Sequence, residues 1–348
     1  MSIVLPVVSV LVTVLVLGAL GCCCYRRCQR RSLESLLLKS QSSQLGTEID
    51  GVTVSVKSAL EHALQSLDVS ETPSKVTSKF VAPPKALMMG RPVDAALGLA
   101  FYMRVEDDDM YALMNRGMAA ILDEFEREGT GDDSYWLDYV LRQPAAEARM
   151  RHGVRDQGRN GERFADFVRH PNSRQANLSE AHVLALRLYT TPCFRSLNDP
   201  LRDAERQSAH PFAATIAFLN EGIRRLRSIG AVGEDAQKEQ ILWRGMANLS
   251  ITGDFMAMGG TEVAPMSTTP KLDVAVQYGL SSSTLLFRLT TSNFMDRGAS
   301  LEFLSAFPAE HEVLYPPLTF LRPRGEPYHL KIDEISFTVL SVEPVFGS

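Results

Sequence analysis

Cysteine is almost absent from the body of this 348-residue chain. Four of the five cysteines, Cys22, Cys23, Cys24 and Cys28, lie close together near the N-terminus, and only Cys193 follows them. The body of the chain therefore cannot form an intramolecular disulfide of its own, although a secreted domain often contains one. This scarcity favours a reducing compartment.

A surplus of positive charge and a metal-ligand pattern are also missing. The formal net charge is -5 at pH 7, whereas proteins that bind nucleic acid through bulk charge are usually basic. The seven histidines are scattered with no metal-ligand spacing, so the sequence predicts neither a nucleic-acid partner nor a metal site. With 45% hydrophobic and 22% charged residues, the composition is that of a globular protein with a full core.

An uncharged apolar run occupies residues 3–20. As a helix it would be about 27 Å long, just enough to cross a thin bilayer. Four arginines follow it between residues 26 and 31, so the positive-inside rule predicts an uncleaved single-pass anchor with the large domain in the cytosol. A cleaved signal peptide ending near residues 19–21 is the alternative, and it would place the domain outside the cytosol. The adjacent cysteines either carry S-palmitoyl groups or are simply small residues at the bilayer boundary.

Composition divides the chain into three segments. Residues 1–31 form the transmembrane anchor with a basic, cysteine-rich juxtamembrane part, and residues 32–80 form a spacer rich in Ser, Gln, Thr and Val. Residues 81–348 form one folded domain, with helical periodicity over 90–230 and short β-favouring runs over 240–345. This order predicts an α+β fold in which a helical N-terminal lobe packs on a β-rich half.

Several elements can be placed within this domain. One helical stripe covers Met110–Arg127, a second helix begins after an N-cap at Ser179, and a third covers His210–Ile229 and stops at Gly230. A short helix is predicted after Thr269, with Pro270 at its first position and Gly279 just past its end. Strands are predicted over 241–246, 284–290, 312–321 and 335–342.

Three short segments of the β-rich half can carry chemistry. Arg244 precedes Gly245, and a guanidinium beside a residue that allows close backbone approach suits phosphate binding. Residues 267–269 are Ser-Thr-Thr, which by themselves suit the cap of the following helix. Glu310 and Glu312 are two positions apart, so in an extended segment both carboxylates point to one side, as chemistry on a sugar bond requires. Taken singly, each segment also has an ordinary structural explanation.

The order of these segments is more specific than any one of them. Arg, then Ser-Thr-Thr, then Glu-x-Glu leading into Val-Leu-x-Pro-Pro resembles the arginine-type mono-ADP-ribosyltransferases. Leu186–Thr190 resembles the family's helix ending in Tyr-Thr, and Asn198–Arg202 resembles its Asn-x-x-Leu-Arg element. The similar stretch covers about residues 160–345. It departs from the family at Thr269, where the pattern has Ser, and in lacking the disulfides that extracellular members often carry.

The resemblance implies a cleft between two small sheets that takes NAD as substrate without a metal. Glu312 would stabilise the oxocarbenium-like transition state at the nicotinamide ribose and bind its 2′-hydroxyl. Ser267 would orient that ribose and Glu312, with Thr268 beside it among the NAD-contacting residues. Arg244 would contact the phosphates, and Gly245 would offer backbone groups to the nicotinamide amide. Trp243 and Tyr189 are assigned to the core.

Glu310 would engage the acceptor, because in this family a Glu at this position goes with protein arginine. The loop from Ser300 to Pro308, with Phe303 and Phe307, would then face the target protein. Two other functions use the same site: an NAD glycohydrolase with water as acceptor, and a membrane-tethered module that binds NAD or a partner without turnover.

A third alternative is a secreted protein that carries glycans at the sequons of Asn177 and Asn248. Two sequons in a chain of this length are near chance, so the sequons do not by themselves place the domain outside the cell.

Overall fold

The computed structural model describes residues 47–49, 52–54, 80–81, 95–150, 153–203, 205–230, 236–247, 249–280, 284–332 and 335–345. The predicted anchor at residues 3–20, the four N-terminal cysteines, most of the spacer and Asn248 lie outside these ranges. Within them, no helix combines the length and apolar character needed to cross a membrane. The described part of the chain has an α+β fold, which confirms the predicted class.

Most of the helices precede most of the strands. The helices are α1 (Ala95–Met103), α2 (Asp107–Asn115), α3 (Met118–Glu128), α4 (Gly131–Arg142), α5 (Phe164–Arg169), α6 (Pro171–Gln175), α7 (Glu180–Tyr189), α8 (Phe194–Arg202), α9 (Ala213–Ile229), α10 (Gly253–Met258) and α11 (Leu272–Gly279). Helices α10 and α11 interrupt the β-rich half, where each connects two strands.

The strands form two sheets and two small ladders. They are β1 (Thr47–Ile49), β2 (Val52–Val54), β3 (Phe80–Val81), β4 (Ala148–Met150), β5 (Gly153–Arg155), β6 (Gln240–Ala247), β7 (Gly260–Glu262), β8 (Met266–Thr268), β9 (Thr284–Thr291), β10 (Ala299–Ser300), β11 (Val313–Tyr315), β12 (Thr319–Pro323), β13 (Tyr328–Ile332) and β14 (Ile335–Val345). The larger sheet has the order β3-β7-β12-β14-β9-β6, with β13 paired to β14. The smaller sheet has the order β10-β11-β8, and the pairs β1-β2 and β4-β5 stand apart.

Several predicted boundaries change for local reasons. The stripe Met110–Arg127 is two helices, because Gly117 has φ 61° and ψ -138° and the helix cannot continue through it. The predicted strand 312–321 is divided at its two prolines into β11 and β12, since proline cannot donate to a ladder. The short helix begins at Leu272 rather than at Pro270 and includes Gly279.

Other predicted boundaries are confirmed. Ser179 is the N-cap of α7, and its backbone N–H donates to Nδ1 of His182 at 3.1 Å. Helix α9 ends at Ile229 and is followed by Gly230, as predicted. The predicted strands 241–246, 284–290 and 335–342 lie within β6, β9 and β14.

Helix α7 is the centre of the helical half. Every residue of it after Glu180 is buried, which is the pattern of a helix enclosed on all sides. Its main neighbour is α9, where a Cβ on Gly222 would lie 2.9 Å from a methyl carbon of Leu186. Tyr189, at the end of α7, and Cys193 are buried in the same apolar cluster. Tyr189 is therefore a core residue, as predicted, but its hydroxyl end also reaches the cleft described below.

Helix α11 lies directly on strand β6 at Gly245. A Cβ at this position would lie 1.8 Å from the backbone oxygen of Ala275 and 2.6 Å from the backbone nitrogen of Gly279. Trp243, two residues earlier, is 5% exposed and packs in the apolar cluster that contains Leu272. Gly245 is thus required by close packing of a helix on a strand.

Replacing Gly245 should therefore separate α11 from β6. Gly245→Ala is expected to cost at least about 1–3 kcal/mol of stability, because the helix must move to admit a methyl group. The control is Gly131→Ala at the start of α4, where a Cβ meets nothing within 4 Å. Thermal unfolding should show a lower Tm for Gly245→Ala alone. Equal Tm values for the two variants would contradict the packing argument.

A buried ion pair joins the central helix to the loop at 301–307. Arg187 of α7 donates to both oxygens of Asp156 at 2.9 and 3.1 Å, and their side chains are 2% and 0% exposed. The Tyr139 hydroxyl donates to the same carboxylate at 2.5 Å. The guanidinium carbon of Arg187 also lies 3.9 Å from the ring centroid of Phe167. Asp156 therefore neutralises a cation that the core has fully enclosed.

The same groups hold the backbone of the 301–307 loop. Arg187 donates to the carbonyl of Leu304 at 2.8 Å, and the N–H of Asp156 donates to Ala306 O at 2.8 Å. Arg159 donates to Ser305 O at 2.6 Å and also to Glu302 O. The N–H of Ala306 donates to the hydroxyl of Thr190 at 2.9 Å. The helical half thus fixes the segment that leads into the two glutamates.

Removing the charge of Asp156 should destabilise the whole fold. Asp156→Asn keeps the size of the side chain and suits the left-handed backbone (φ 48°), but it leaves Arg187 buried without a counter-charge. We expect a loss of about 3–5 kcal/mol. The matched control is Asp138→Asn, which removes an exposed ion pair with Arg142 and should cost far less. Denaturant unfolding gives both values, and similar losses would refute a special role for the buried pair.

Candidate active site

A bridge between two sequence motifs creates the floor of a cleft. The N–H of Trp243 donates to Thr269 O at 2.7 Å, and the N–H of Thr269 donates back to Trp243 O at 2.9 Å. This exchange brings the Arg244 strand beside the Ser-Thr-Thr segment. Ser267 and Thr268 lie in strand β8, so the segment is part of a sheet and not the predicted cap of a helix.

Arg244 points into this cleft and is almost completely enclosed. It donates to the Ser267 carbonyl at 2.7 Å and to Oε2 of Glu262 at 3.3 Å, and its side chain is 9% exposed. Within the described part of the chain, its Nε is a buried donor with no hydrogen-bond partner. Burial lowers the pKa of Arg244, while the Glu262 carboxylate raises it. The guanidinium is taken as charged because arginine is not deprotonated in proteins.

Glu262 joins two arginines at the base of the cleft. It is 0% exposed, and its second oxygen accepts from Nε of Arg202 at 3.0 Å. Two guanidinium groups therefore share one carboxylate, and Asp199 near Arg202 and Glu312 near Arg244 are further negative charges. The sequence motifs include Arg202 and Arg244 but not Glu262, because nothing in its local pattern distinguishes it from any other strand residue.

The C-terminal end of helix α7 forms one wall of the cleft, which Tyr189 lines. The Tyr189 hydroxyl donates to Pro265 O at 3.0 Å and accepts from Nδ2 of Asn198 at 3.1 Å. Burial raises the pKa of Tyr189, and the nearby Glu312 carboxylate raises it further. The two helical elements recognised in the sequence, one ending at Tyr189 and the other containing Asn198 and Arg202, thus meet at this wall.

Glu312 lies in the cleft beside Ser267 and Arg244. Its side chain is 7% exposed and is hydrogen-bonded to the side chain of Ser267. Burial raises the pKa of Glu312 to about 7, while the Ser267 hydrogen bond and the charge of Arg244 lower it. The Glu312 carboxylate is therefore withdrawn from water and lies beside the guanidinium of Arg244.

Glu310 reaches the same cleft by a route that the sequence pattern did not predict. It ends a 3₁₀ turn at Pro308–Glu310, and His311 follows with φ 49°, so the Glu-x-Glu segment is not extended. The turn brings the Glu310 carboxylate close enough to Glu312 that the two charges interact. Burial and the Glu312 carboxylate raise the pKa of Glu310 to about 8, although a hydrogen bond from Tyr278 lowers it.

Two hydroxyl groups hold Glu310 in this turn. Thr269 Oγ1 donates to the Glu310 carbonyl at 2.7 Å, and the Tyr278 hydroxyl donates to Oε1 of its carboxylate at 2.9 Å. The hydroxyl at position 269 therefore has a defined partner, although the residue is Thr where the family pattern has Ser. Tyr278 was not identified from the sequence, because a tyrosine in a short helix carries no signal of its own.

The cleft brings together the six residues that were predicted to act in catalysis or NAD binding. Its lining includes Arg244, Gly245, Ser267, Thr268, Glu310 and Glu312. Phe307 also lines it and is only 5% exposed, while Phe303 stacks on His170 of the helical half with ring centroids 4.6 Å apart. Among the residues described, no cluster of three or more His, Cys, Asp or Glu side chains could hold a metal ion.

Comparison with known proteins identifies the family. Residues 108–329 match the family model described as ART: NAD:arginine ADP-ribosyltransferase. Because this match covers more than half of the chain, the chain belongs to the NAD:arginine ADP-ribosyltransferase family, which confirms the resemblance stated above. The match begins at residue 108, whereas the stretch that resembles the family by its motifs begins at about residue 160.

Individual relatives share only a modest part of their sequence with this chain. The chain is 30% identical over 148 residues to ecto-ADP-ribosyltransferase 5 of Bos taurus, an alignment that spans 39% of this chain and 43% of that protein. Among solved structures, it is similar to the eucaryotic mono-ADP-ribosyltransferase ART2.2, at 15% identity and TM-score 0.47, over 68% of this chain and 88% of the other. It is also similar to HopU1 of Pseudomonas syringae pv. Tomato DC3000, at 17% identity and TM-score 0.40, over 62% and 98%.

The two raised pKa values predict that stability falls as the pH rises from about 5 to about 8. An ordinary glutamate has a pKa of 4.5, so in this window the folded protein binds more protons than the unfolded chain, and unfolding is favoured by rising pH. Each tenfold difference in proton affinity corresponds to about 1.4 kcal/mol. The Glu310→Gln/Glu312→Gln double variant should therefore show a shallower fall of Tm across this range than the wild type.

The control for this comparison lies elsewhere in the core. Burial also raises the pKa of Glu124 to about 7, although backbone N–H groups of Ala214 and Thr215 lower it. Some pH dependence should therefore persist in the double variant and decrease again on Glu124→Gln. Parallel Tm curves for wild type and double variant would show that the two cleft carboxyls titrate normally.

Proposed function

We propose that this chain is a mono-ADP-ribosyltransferase that moves ADP-ribose from NAD to a protein arginine and releases nicotinamide. The observation that carries the proposal is the convergence of Arg244, Ser267, Glu310 and Glu312 on one cleft, with Ser267 bonded to Glu312. Family membership supports the same activity, and the details of substrate and acceptor rest on this cleft.

The positive base of the cleft suits the diphosphate of NAD. Arg202 and Arg244 both bond to the buried Glu262 carboxylate, so two guanidinium groups lie together in the cleft. Because a planar guanidinium can grip phosphate oxygens and Nε of Arg244 is without a protein partner among the described residues, Arg244 is assigned to the phosphates. Thr268 also lines the cleft, and the backbone of Gly245 is assigned to the nicotinamide amide.

Glu312 is assigned to the bond that breaks. As the bond from the ribose C1′ to the nicotinamide nitrogen lengthens, the bonding electron pair leaves with nicotinamide and positive charge develops on the sugar. An ionised carboxylate in a buried site stabilises that charge more strongly than one in water. Ser267 fixes the orientation of this carboxylate through their hydrogen bond.

Glu310 is assigned to the acceptor. A guanidinium is a weak nucleophile while fully protonated, so a nearby carboxylate can orient it and accept the proton that it loses on bonding to C1′. The raised pKa of Glu310 suits a group that must take up a proton near neutral pH. With water in place of the guanidinium, the same residues would hydrolyse NAD.

The N-terminal run at residues 3–20 is proposed to anchor this domain in a membrane, with the cysteines that follow it as candidate palmitoylation sites. The arginines after the run favour a cytosolic domain. The name of the Bos taurus relative, an ecto-enzyme, instead favours the opposite side. Recovery of the full-length chain in the soluble fraction without detergent would exclude the anchor, and protease protection in sealed vesicles would decide the side.

The activity is tested with the full-length chain in detergent, labelled NAD and agmatine as an arginine analogue. Wild type should label agmatine, and Glu312→Gln should reduce labelling by about a hundredfold or more, because transition-state charge loses its carboxylate. Glu310→Gln should reduce agmatine labelling more than nicotinamide release. The matched control is Glu326→Gln, at an exposed position outside the cleft lining, which should behave as wild type.

Other outcomes point to the alternatives. Release of nicotinamide without labelled agmatine, lost in Glu312→Gln, would indicate an NAD glycohydrolase or a different acceptor. No consumption of NAD by folded wild type would refute the enzymatic proposal and leave a module that binds without turnover.

A further inference from the structure

The hairpin formed by β4 and β5 stands apart from both sheets of the fold. Its register runs from the pair Ala148 and Arg155 to the pair Met150 and Gly153. A two-stranded ladder by itself is at best marginally stable in water, so this hairpin depends on the surfaces that it packs against. Its place in the molecule therefore follows from its contacts with the rest of the domain.

One face of the hairpin lies on the loop and the turn that precede the two glutamates of the cleft. A Cβ added to Gly153 would lie 4.0 Å from a ring carbon of Phe307. Strand β5 also contacts the 3₁₀ turn at Pro308–Glu310. Directly after β5, the N–H of Asp156 donates to Ala306 O at 2.8 Å. The hairpin therefore lies beside the turn that carries the carboxylate assigned to the acceptor.

Side chains on this inner face fix the hairpin to the helical half. Arg155 is 7% exposed, its guanidinium carbon lies 3.8 Å from the ring centroid of Tyr139, and it donates to the Tyr135 hydroxyl at 3.2 Å. Met150 packs against the apolar cluster that contains Tyr139. The hairpin thus has a defined orientation, with one face on the domain and the other toward solvent.

Arg149 lies on the outer face. Side chains alternate along a strand, and Arg149 is exposed while its neighbours Ala148 and Met150 are half-buried. Its side chain has no hydrogen-bond or ion-pair partner among the described residues. Residues 148–155 include three arginines and one histidine but no acidic residue. The hairpin therefore presents to solvent a cation that no acidic residue of its own neutralises.

We propose that the β4–β5 hairpin is part of the surface that docks the target protein, and that Arg149 pairs there with an acidic side chain close to the acceptor arginine. The assignment rests on the proposed transferase activity. A protein that brings an arginine to Glu310 must also cover what lies beside that turn, and the hairpin lies there. A single exposed cation at such a place selects partners by charge complementarity.

The test uses the full-length chain in detergent, labelled NAD and two peptides that each contain one arginine. In one peptide the residues around the arginine are glutamates, and in the other they are lysines. Arg149→Gln should raise the KM for the glutamate peptide about two- to fivefold, the effect of losing one exposed ion pair. Arg149→Glu should shift the ratio of the two KM values further toward the lysine peptide. Both effects should shrink in about 1 M salt, which screens exposed charges.

Agmatine and a second arginine supply the controls. Agmatine has no flanking residues, so its kcat/KM should keep the wild-type value in both Arg149 variants. Arg322→Gln removes an exposed arginine of β12 that lies outside the cleft lining, and it should leave all three acceptors unaffected. Thermal unfolding should give the wild-type Tm for Arg149→Gln, because an exposed side chain is changed.

Two results would overturn the inference. The first is a KM ratio for Arg149→Glu within twofold of wild type, and the second is an equal loss with agmatine, which would place the effect in the cleft. Repeating the assay in phosphatidylserine vesicles tests a lipid partner. An effect of Arg149→Gln that appears only in these vesicles would assign the hairpin to the membrane surface and exclude the target protein as its partner.

Peptide binding keeps the docking surface testable if the proposed function fails. Fluorescence anisotropy of the labelled glutamate peptide needs no turnover. Weaker binding by Arg149→Gln than by wild type supports the docking surface, and equal binding refutes it. Wild type that consumes no NAD refutes the transferase alone, whereas normal transfer to both peptides by the Arg149 variants refutes the docking surface alone.

Discussion

The geometry of the cleft depends on the buried ion pair between Arg187 and Asp156. The 301–307 loop runs into both glutamates, and its backbone is held by the guanidinium groups of Arg187 and Arg159 rather than by a strand ladder. A buried ion pair contributes little net stability, because the cost of removing both charges from water offsets their attraction. Its contribution here is position, because Arg187 donates to the Leu304 carbonyl of this loop while Asp156 compensates its charge.

A second buried carboxylate, Glu262, positions side chains in the β-rich half. Glu262 lies between Arg202 of α8 and Arg244 of β6, so a helix and a strand that are distant in sequence converge on one anion. The arrangement orients both guanidinium groups, since each bonds to a different oxygen of the same carboxylate. The cleft thus contains two guanidinium groups, held by Glu262, and two carboxyl groups, those of Glu310 and Glu312, which suits a substrate with a diphosphate at one end and a positively charged nicotinamide ring at the other.

The sequence predicts the class of fold and the main strands because these depend on local pattern. Strands β6 and β9 are rich in apolar and β-favouring residues, and this composition predicts their positions. The turn at Glu310 cannot be predicted from local pattern, because Pro308 and the left-handed His311 replace the alternation expected of a strand. Glu262 and Tyr278 were missed because their partners lie far along the chain and meet them only after the tertiary fold forms.

The close packing of α11 on Gly245 has a consequence for how this enzyme family could diversify. One strand residue before that glycine carries the guanidinium assigned to the dinucleotide, and the helix above it carries the tyrosine that touches Glu310. A change in the spacing of helix and strand would disturb donor and acceptor recognition together. New acceptor preferences should therefore arise through side chains at the rim of the cleft, while the packing of α11 on β6 stays the same in such variants.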